Sequence, residues 1–159
     1  MLNILKHMTH SEYLLHYVWK FRLFNQTNLQ TLDGKKIEVI DTGIHNTDAG
    51  PDFFNAKIKI DDKVWAGNVE IHQSSDDWNK HGHHTDKNYN SVILHVVETV
   101  KSEVKNQKGL LVPQMKLTVP DNVRKNTEYL LNSVSNIPCK NHLPEIEKKI
   151  VNSWLSVLG

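Results

Sequence analysis

Two carboxylates and a histidine stand at the ends of two short alternating segments within residues 49–78, AGPDFFNAKIKIDDKVWAGNVEIHQSSDDW. Asp52 follows a proline at the start of the first segment, and Glu70 and His72 stand two residues apart at the end of the second. Carboxylates held close together repel each other, and a divalent cation such as Mg²⁺ offsets that repulsion. These residue types therefore predict a metal site, provided that the fold brings the side chains together.

The alternation of apolar and polar residues predicts that the fold does so. Residues 54–60 alternate as in a half-buried strand, Asp61-Asp62-Lys63 turns the chain back, and a second strand follows. Side chains two apart on a strand share a face about 6 to 7 Å apart, so Glu70 and His72 project together. An antiparallel hairpin centred on Asp62 pairs Asp52 with His72, which makes the three polar groups converge.

Histidine is unusually frequent, and a catalytic zinc site is a second hypothesis. Of the ten histidines, His72, His81, His83, His84 and His95 lie within 24 residues. Two histidines of the HGHHTD segment could hold zinc with His72 or Asp86, leaving one position open. However, no helix places them four residues apart on one face, and the lone Cys139 lies far away. The sequence therefore favours Mg²⁺ or Mn²⁺ over Zn²⁺.

Several of these polar residues also have other interpretations. His81 and His83 in a loop above the sheet could contact phosphate or protonate a leaving group. His95 interrupts an apolar strand and is predicted to be a core histidine, although it could reach the site from there, and His45 is a further accessory candidate. Glu12 is explained by a helix capping box that begins at Thr9.

The segments that position these residues predict an α/β (α+β) fold with a mixed central sheet flanked by helices. Helical periodicity predicts a helix over 11–24, Asp33-Gly34 a hairpin over 29–40, and residues 91–97 a strand buried on both faces. A strand over 110–119 and helices from Pro120 to about 134 and from Pro144 onward complete the order. We expect one domain over 1–159, from the N-terminal part of a longer protein.

Composition narrows the classes of function. Nineteen Lys and Arg against eighteen Asp and Glu give a net charge of +1, so no overall charge favours nucleic acid or a membrane surface. No run of eighteen apolar residues is present, and the single cysteine cannot form an internal disulfide. We therefore expect a cytoplasmic protein without a membrane partner, and the sequence leaves its oligomeric state open.

Pro51-Asp52 followed by Glu70-Ile71-His72 resembles the metal-binding motif of the PD-(D/E)XK nuclease-like phosphodiesterases. That resemblance implies a restriction-endonuclease-like α-β-β-β-α-β core and a nucleic-acid or other phosphodiester substrate. It also implies Mg²⁺ held by Asp52, Glu70 and the Ile71 carbonyl, with the third residue acting on the attacking water. His72 stands where that superfamily usually has Lys, so the fixed positive charge beside the metal is absent.

Five phrases in order resemble the N-terminal half of a bacterial family of proteins of unknown function, whose members are longer, soluble proteins. The phrases are YLLHYVWKFRLF, DAGPDFFNAKI, GNVEIH with SSDDW, HGHHTD and VILHVVE, within residues 13–98. That family implies no activity. Three hypotheses therefore remain: a divergent Mg²⁺-dependent nuclease or phosphodiesterase using Asp52, Glu70 and His72, a non-catalytic nucleic-acid or protein binding module, and a histidine-rich zinc hydrolase.

Overall fold

A mixed β-sheet forms the centre of the computed structural model, which describes residues 10–132. The strands are β1 Ile37–Asp41, β2 Ile44–His45, β3 Phe53–Ile60, β4 Lys63–Ser74, β5 Val92–Thr99 and β6 Gln114–Lys116. The helices are α1 His10–Lys20, α2 Asp77–Lys80 and α3 Asp121–Leu131, with a 3-10 helix at Lys87–Ser91. The strand order is β1-β3-β4-β5-β6, and β2 pairs with β3. The predicted α+β class with a mixed sheet is confirmed.

Helix α1 packs against β4, because its apolar residues recur on one face. Leu15, Val18 and Trp19 are fully buried on that face. Trp19 also donates from Nε1 to the carbonyl of Thr42 at 3.1 Å, which ties the helix to the segment between β1 and β2. The helix is shorter than the predicted 11–24, because Arg22 adopts a left-handed backbone with φ 53° just after its end.

A bulge in β3 changes the predicted pairing of the β3–β4 hairpin. Near the turn, Ile58 pairs with Trp65, but beyond the irregularity Phe53 pairs with Val69. Asn55 lies inside this irregularity with φ 56°, a conformation that asparagine tolerates better than most residues. The hairpin turns between Asp61 and Asp62 and not at Asp62, which shifts the pairing by one residue, and the bulge shifts it by one more. Asp52 therefore lies beside Glu70, and its predicted pairing with His72 is wrong.

The connection from β4 to β5 returns the chain in parallel, and it contains α2 and the 3-10 helix. Strand β6 then adds in parallel to β5. Glu70 is in register with His95, and His95 with Gln114. Three buried polar residues from three adjacent strands therefore form one row across the sheet, between neighbours that are mostly apolar.

Other predicted elements are shorter than expected. The hairpin over 29–40 is reduced to β1 and an isolated bridge between Gln30 and Lys36, and the strand over 110–119 is reduced to β6. The predicted Thr9 cap, Cys139 and the helix from Pro144 lie outside the described residues. The chain divides into two compact units, Met1–Pro120 and Asp121–Gly159, and the sheet belongs to the first. No helix within residues 10–132 has the length and apolarity needed to cross a membrane.

Candidate metal centre

Asp52 and Glu70 meet where β3 begins and β4 approaches its end. The backbone N–H of Asp52 donates to Glu70 Oε2 at 3.1 Å, and the backbone N–H of Ile71 donates to Asp52 Oδ2 at 2.8 Å. The two carboxylates are thus held by reciprocal main-chain bonds between neighbouring strands. The predicted convergence of these side chains is present, and Ile71 contributes its N–H to Asp52.

Two histidines lie beside the other oxygen of Glu70, and a third contacts one of them. Glu70 Oε1 lies 3.1 Å from His83 Nε2 and 3.5 Å from His72 Nε2. His72 Nε2 lies 3.1 Å from His81 Nδ1. One ring nitrogen from each of His72, His81 and His83 lies within 4.8 Å of the others, so these residues form a group that could hold a metal ion.

The short α2 turn places His81 and His83 over β4. Trp78 anchors this turn, because its ring is fully buried and its Nε1 donates to the Lys105 carbonyl at 2.9 Å. Gly82 follows with φ 79°, a conformation that favours glycine, and the backbone N–H of His83 donates to the Trp78 carbonyl at 3.0 Å. The ring of His83 then stacks on Tyr89, with centroids 3.7 Å apart. Packing on both sides therefore fixes the ring of His83.

Two ring nitrogens at this site are buried without a hydrogen-bond partner, His83 Nε2 and His16 Nε2. His83 Nε2 faces Glu70 at 3.1 Å, and His16 Nε2 faces Asp52 Oδ2 at 3.3 Å, but neither contact has hydrogen-bond geometry. Buried polar atoms are nearly always bonded, and an exception requires an explanation such as an ion. Both exceptions point at the same pair of carboxylates.

His72 is held from behind by His95 and Gln114, the β5 and β6 members of that row. His72 Nδ1 lies 2.8 Å from His95 Nε2, and His95 Nδ1 lies 3.2 Å from the Gln114 amide nitrogen. All three residues are buried. His95 therefore contacts the site through His72, and its predicted place in the core is confirmed.

On the side of Asp52, helix α1 contributes His16, which sequence reasoning missed. His16 Nδ1 lies 3.4 Å from His45 Nε2 on β2, so the accessory candidate His45 stands behind His16. Glu12 is one helical turn before His16 and is half-buried. The four-residue spacing of Glu12 and His16, which places both on one helix face, was the available signal.

Two residues of the HGHHTD segment do not join the group. His84 is exposed. Asp86 caps the 3-10 helix, where its side chain accepts from the Asn88 backbone N–H at 2.9 Å. His84 thus provides a matched control for substitutions of its neighbours.

Burial shifts the acid–base properties of the site toward uncharged groups. Burial, with the charge of Asp52 adding to it, raises the pKa of Glu70 well above its usual range. Burial, reinforced by the adjacent histidines, lowers the pKa of His72 well below its usual range. Burial likewise lowers the pKa of His83 to about 4 and that of His95 to about 3. Glu70 and His83 are at ion-pair distance, but burial favours their uncharged forms, and neutral imidazole is the form that binds metals.

Acidification should destabilise the metal-free protein between pH 6.5 and about 4.5. Folded His72, His83 and His95 bind no proton in that range, whereas the unfolded chain protonates them near the ordinary histidine pKa of 6.5. Each contributes up to roughly 1 kcal/mol per pH unit, and the raised pKa of Glu70 opposes them, so the three histidines outweigh the one carboxyl and the free energy of unfolding falls as the pH falls. Urea unfolding with a chelator at several pH values measures this slope.

The variant His95→Gln should lower that slope by up to roughly 1 kcal/mol per pH unit, because it removes one buried imidazole. His84→Gln, which changes an exposed histidine, should leave the slope unchanged. A free energy of unfolding that stays constant from pH 6.5 to 4.5 would contradict the burial of uncharged histidines.

Comparison with known proteins gives one match. The family model described as "Protein of unknown function (DUF2851)" matches residues 12–158. No curated protein and no solved structure matches the chain. The matched range covers nearly the whole chain and includes every residue of the site.

Proposed function

The chain belongs to the DUF2851 family of proteins of unknown function, and we propose that it is a zinc-dependent hydrolase. In this proposal His72, His81 and His83 hold the metal, and Glu70 acts on the attacking water. The observation that carries the proposal is the group of three imidazole nitrogens within 4.8 Å of one another, with Glu70 Oε1 beside two of them.

The spacing of these atoms suits a tetrahedral zinc site. Zinc–nitrogen bonds of about 2.0 to 2.1 Å place neighbouring ligands roughly 3.3 to 3.4 Å apart. The ligand nitrogens of His72 and His81 are 3.1 Å apart, and all three ligand nitrogens lie within 4.8 Å of one another. Imidazole suits zinc, whereas Mg²⁺ prefers oxygen. The donor set therefore reverses the order favoured by the sequence, which placed Mg²⁺ or Mn²⁺ before zinc.

Surrounding groups support the three histidines in the way that metal-binding histidines require. The second ring nitrogen of a ligand is normally held by an outer partner, which fixes the orientation of the ring. His95 and Gln114 hold His72 in this way, and stacking on Tyr89 holds His83. His81 is exposed, and the Asp52 side chain is 22% exposed, so a substrate can approach from that side.

In this proposal Glu70 carries the proton. Three histidine ligands leave one position for water, and zinc lowers the pKa of a bound water to about 7. Glu70 Oε1 borders that position, while Oε2 is fixed by the Asp52 N–H. A cation bound beside it would favour the ionised form of Glu70 despite its burial, so Glu70 would accept a proton from the attacking water and return it to the leaving oxygen as the ester bond breaks.

A phosphodiester is the substrate class to test first. The order of a helix, antiparallel strands, a short helix and a parallel strand supports the nuclease-like resemblance, once the two-residue β2 is set aside. The net charge of +1 offers no overall attraction for a long nucleic acid. A small chromogenic phosphodiester is therefore a better first substrate than generic DNA or RNA.

The full chain loaded with zinc should hydrolyse bis(p-nitrophenyl) phosphate, and a chelator should abolish the reaction. Added Zn²⁺ should restore the rate and Mg²⁺ should not, because three imidazoles bind zinc far better. His84→Gln should behave as wild type, and His81→Gln should lose the zinc-dependent rate. Restoration by Mg²⁺ alone would favour the magnesium hypothesis. A zinc-saturated protein without hydrolysis would favour a binding module.

A further inference from the structure

A cavity of about 510 Å³ lies where the β3–β4 hairpin turns. Its walls come from the turn over 31–35, the hairpin turn over 60–63 with Trp65, the segment 111–114 and Glu103. None of these residues belongs to the three-histidine group or is Glu70. Small-molecule sites usually have volumes of roughly 300 to 1,000 Å³, so this cavity is large enough for a small organic ligand.

Hydrogen bonds hold the walls of this cavity in place. The backbone N–H of Leu32 donates to the Gln114 carbonyl at 3.0 Å, which joins the turn over 31–35 to β6. The backbone N–H of Asp61 donates to the Lys36 carbonyl at 2.8 Å, and Asp61 Oδ1 accepts from the Lys36 N–H at 2.9 Å. The walls are thus fixed before a ligand arrives, which lowers the cost of binding.

Three large apolar side chains are exposed on this one concave surface. Leu32, Trp65 and Leu111 all line the cavity, and they are between 42% and 58% exposed. Single exposed apolar residues are common, but several of them together mark a site of binding. A ligand that fits this cavity therefore has an apolar body.

The charged residues of the lining make the cavity negative, although the whole chain has a net charge of +1. Four carboxylates and two lysines line it: Asp33, Asp61, Asp62, Glu103, Lys35 and Lys63. Lys35 is already paired, because its Nζ lies 2.6 Å from Asp33 Oδ2. The excess of negative charge attracts a cation and repels an anion. The exposed Trp65 ring adds a second attraction, since a tryptophan face binds a positive charge better than any other side chain ring.

We propose that this cavity binds a small organic cation, a molecule with an apolar body and one protonated or quaternary nitrogen. The body would pack against Leu32 and Leu111, and the nitrogen would lie over Trp65 near the carboxylate of Asp62. This site does not depend on the zinc centre. Either proposal can therefore fail without the other.

Titration of the full chain with benzyltrimethylammonium tests this inference. Trp65 is the exposed one of the three tryptophans within residues 10–132, so its fluorescence should change as the cation binds. Calorimetry should give a dissociation constant of about 1 mM or lower, as expected for a ligand of this size. Benzyl alcohol and benzoate should bind at least about 10-fold more weakly, and added salt should weaken the binding of the cation.

Variants of exposed lining residues locate the bound cation. Trp65→Leu keeps an apolar side chain but loses the aromatic face, so the affinity should fall by about 3- to 30-fold and the fluorescence change should disappear. Asp62→Asn should weaken binding by about 2- to 5-fold. Asp48→Asn is the control, because it removes an exposed carboxylate at the other end of β3, and it should bind as wild type.

Three results would overturn the inference. The first is that wild type fails to bind the cation at 10 times the expected dissociation constant. The second is that benzoate binds as tightly as the cation, and the third is that Trp65→Leu and Asp62→Asn both keep the wild-type affinity. Trp65 and Asp62 are exposed, so neither replacement should prevent folding.

Discussion

Replacement of Glu70 by glutamine should lower the hydrolysis rate of the zinc-loaded protein by about 10²- to 10⁴-fold, the usual contribution of a general base. Glutamine keeps the size of the side chain, and its carbonyl oxygen can still accept the Asp52 N–H that Glu70 Oε2 accepts now. It cannot take a proton from water. The rate constant with bis(p-nitrophenyl) phosphate and the zinc content should be measured on the same sample.

The zinc content of Glu70→Gln distinguishes two roles of Glu70, a general base and a metal ligand. Three histidines remain in Glu70→Gln, so its zinc content should match that of wild type and of the control His84→Gln. Loss of zinc together with the rate would show that Glu70 is a fourth ligand. A closed set of four protein ligands is typical of structural zinc sites, and that result would contradict the hydrolase proposal.

Zinc at about 1,000 times its dissociation constant should stabilise the metal-free protein by about 4 kcal/mol, because the ion binds the folded state alone. For a domain of this size the melting temperature should rise by roughly 15 °C. His83→Gln should lose most of that rise, since it removes a fixed, buried ligand atom at the centre of the group. Scanning calorimetry of the chelator-treated protein, with and without Zn²⁺, measures the effect.

The specificity of that rise needs two comparisons. His84→Gln should keep the full rise, because this neighbouring histidine is exposed and outside the group. Mg²⁺ at equal concentration should give little change in the wild type. An equal rise for His83→Gln and wild type would mean that zinc binds elsewhere, and the three-histidine centre would be wrong.

Local patterns in the sequence were sufficient for the strands that carry the site. Alternation over residues 54–60 identified β3, and an apolar run broken by one histidine identified β5. Strand β3, the turn at Asp61-Asp62 and the return strand β4 were enough to bring Asp52 near Glu70. The composition of a strand reflects the environment of its two faces, so such patterns survive without knowledge of the rest of the fold.

The remainder of the site depends on features that local patterns do not encode. The bulge at Asn55 changes the pairing partner of Asp52. The alternation of apolar and polar residues does not predict a single unpaired residue. His16 lies on a helix whose contact with the sheet is tertiary, and Gln114 reaches His95 from a strand that follows a long connection. Each of these contacts requires the positions of whole elements relative to one another.

The sequence ranked zinc below Mg²⁺ for a similar reason. HGHHTD has no helical spacing, so the sequence offered no means of directing two of its histidines at one point. The structure does so with a tight turn, in which Trp78 is buried as an anchor and Gly82 reverses the chain. The turn brings His81 and His83 to His72, which belongs to another element. A cluster of ligands assembled by a turn and a strand is visible only after folding.

The hydrogen bonds that link Gln114, His95 and His72 all run in one direction, from donor to acceptor. An amide NH₂ group only donates, so His95 Nδ1 accepts from Gln114, and His95 Nε2 carries the proton that it gives to His72 Nδ1. His72 Nε2 is then protonated, and it must lose that proton to bind a metal. If the Gln114 amide turns by half a turn, its oxygen faces His95 Nδ1 and accepts a hydrogen bond from it. His95 Nε2 then accepts from His72 Nδ1, which leaves His72 Nε2 without a proton. Metal uptake is thereby linked to the orientation of one amide that lies two strands away.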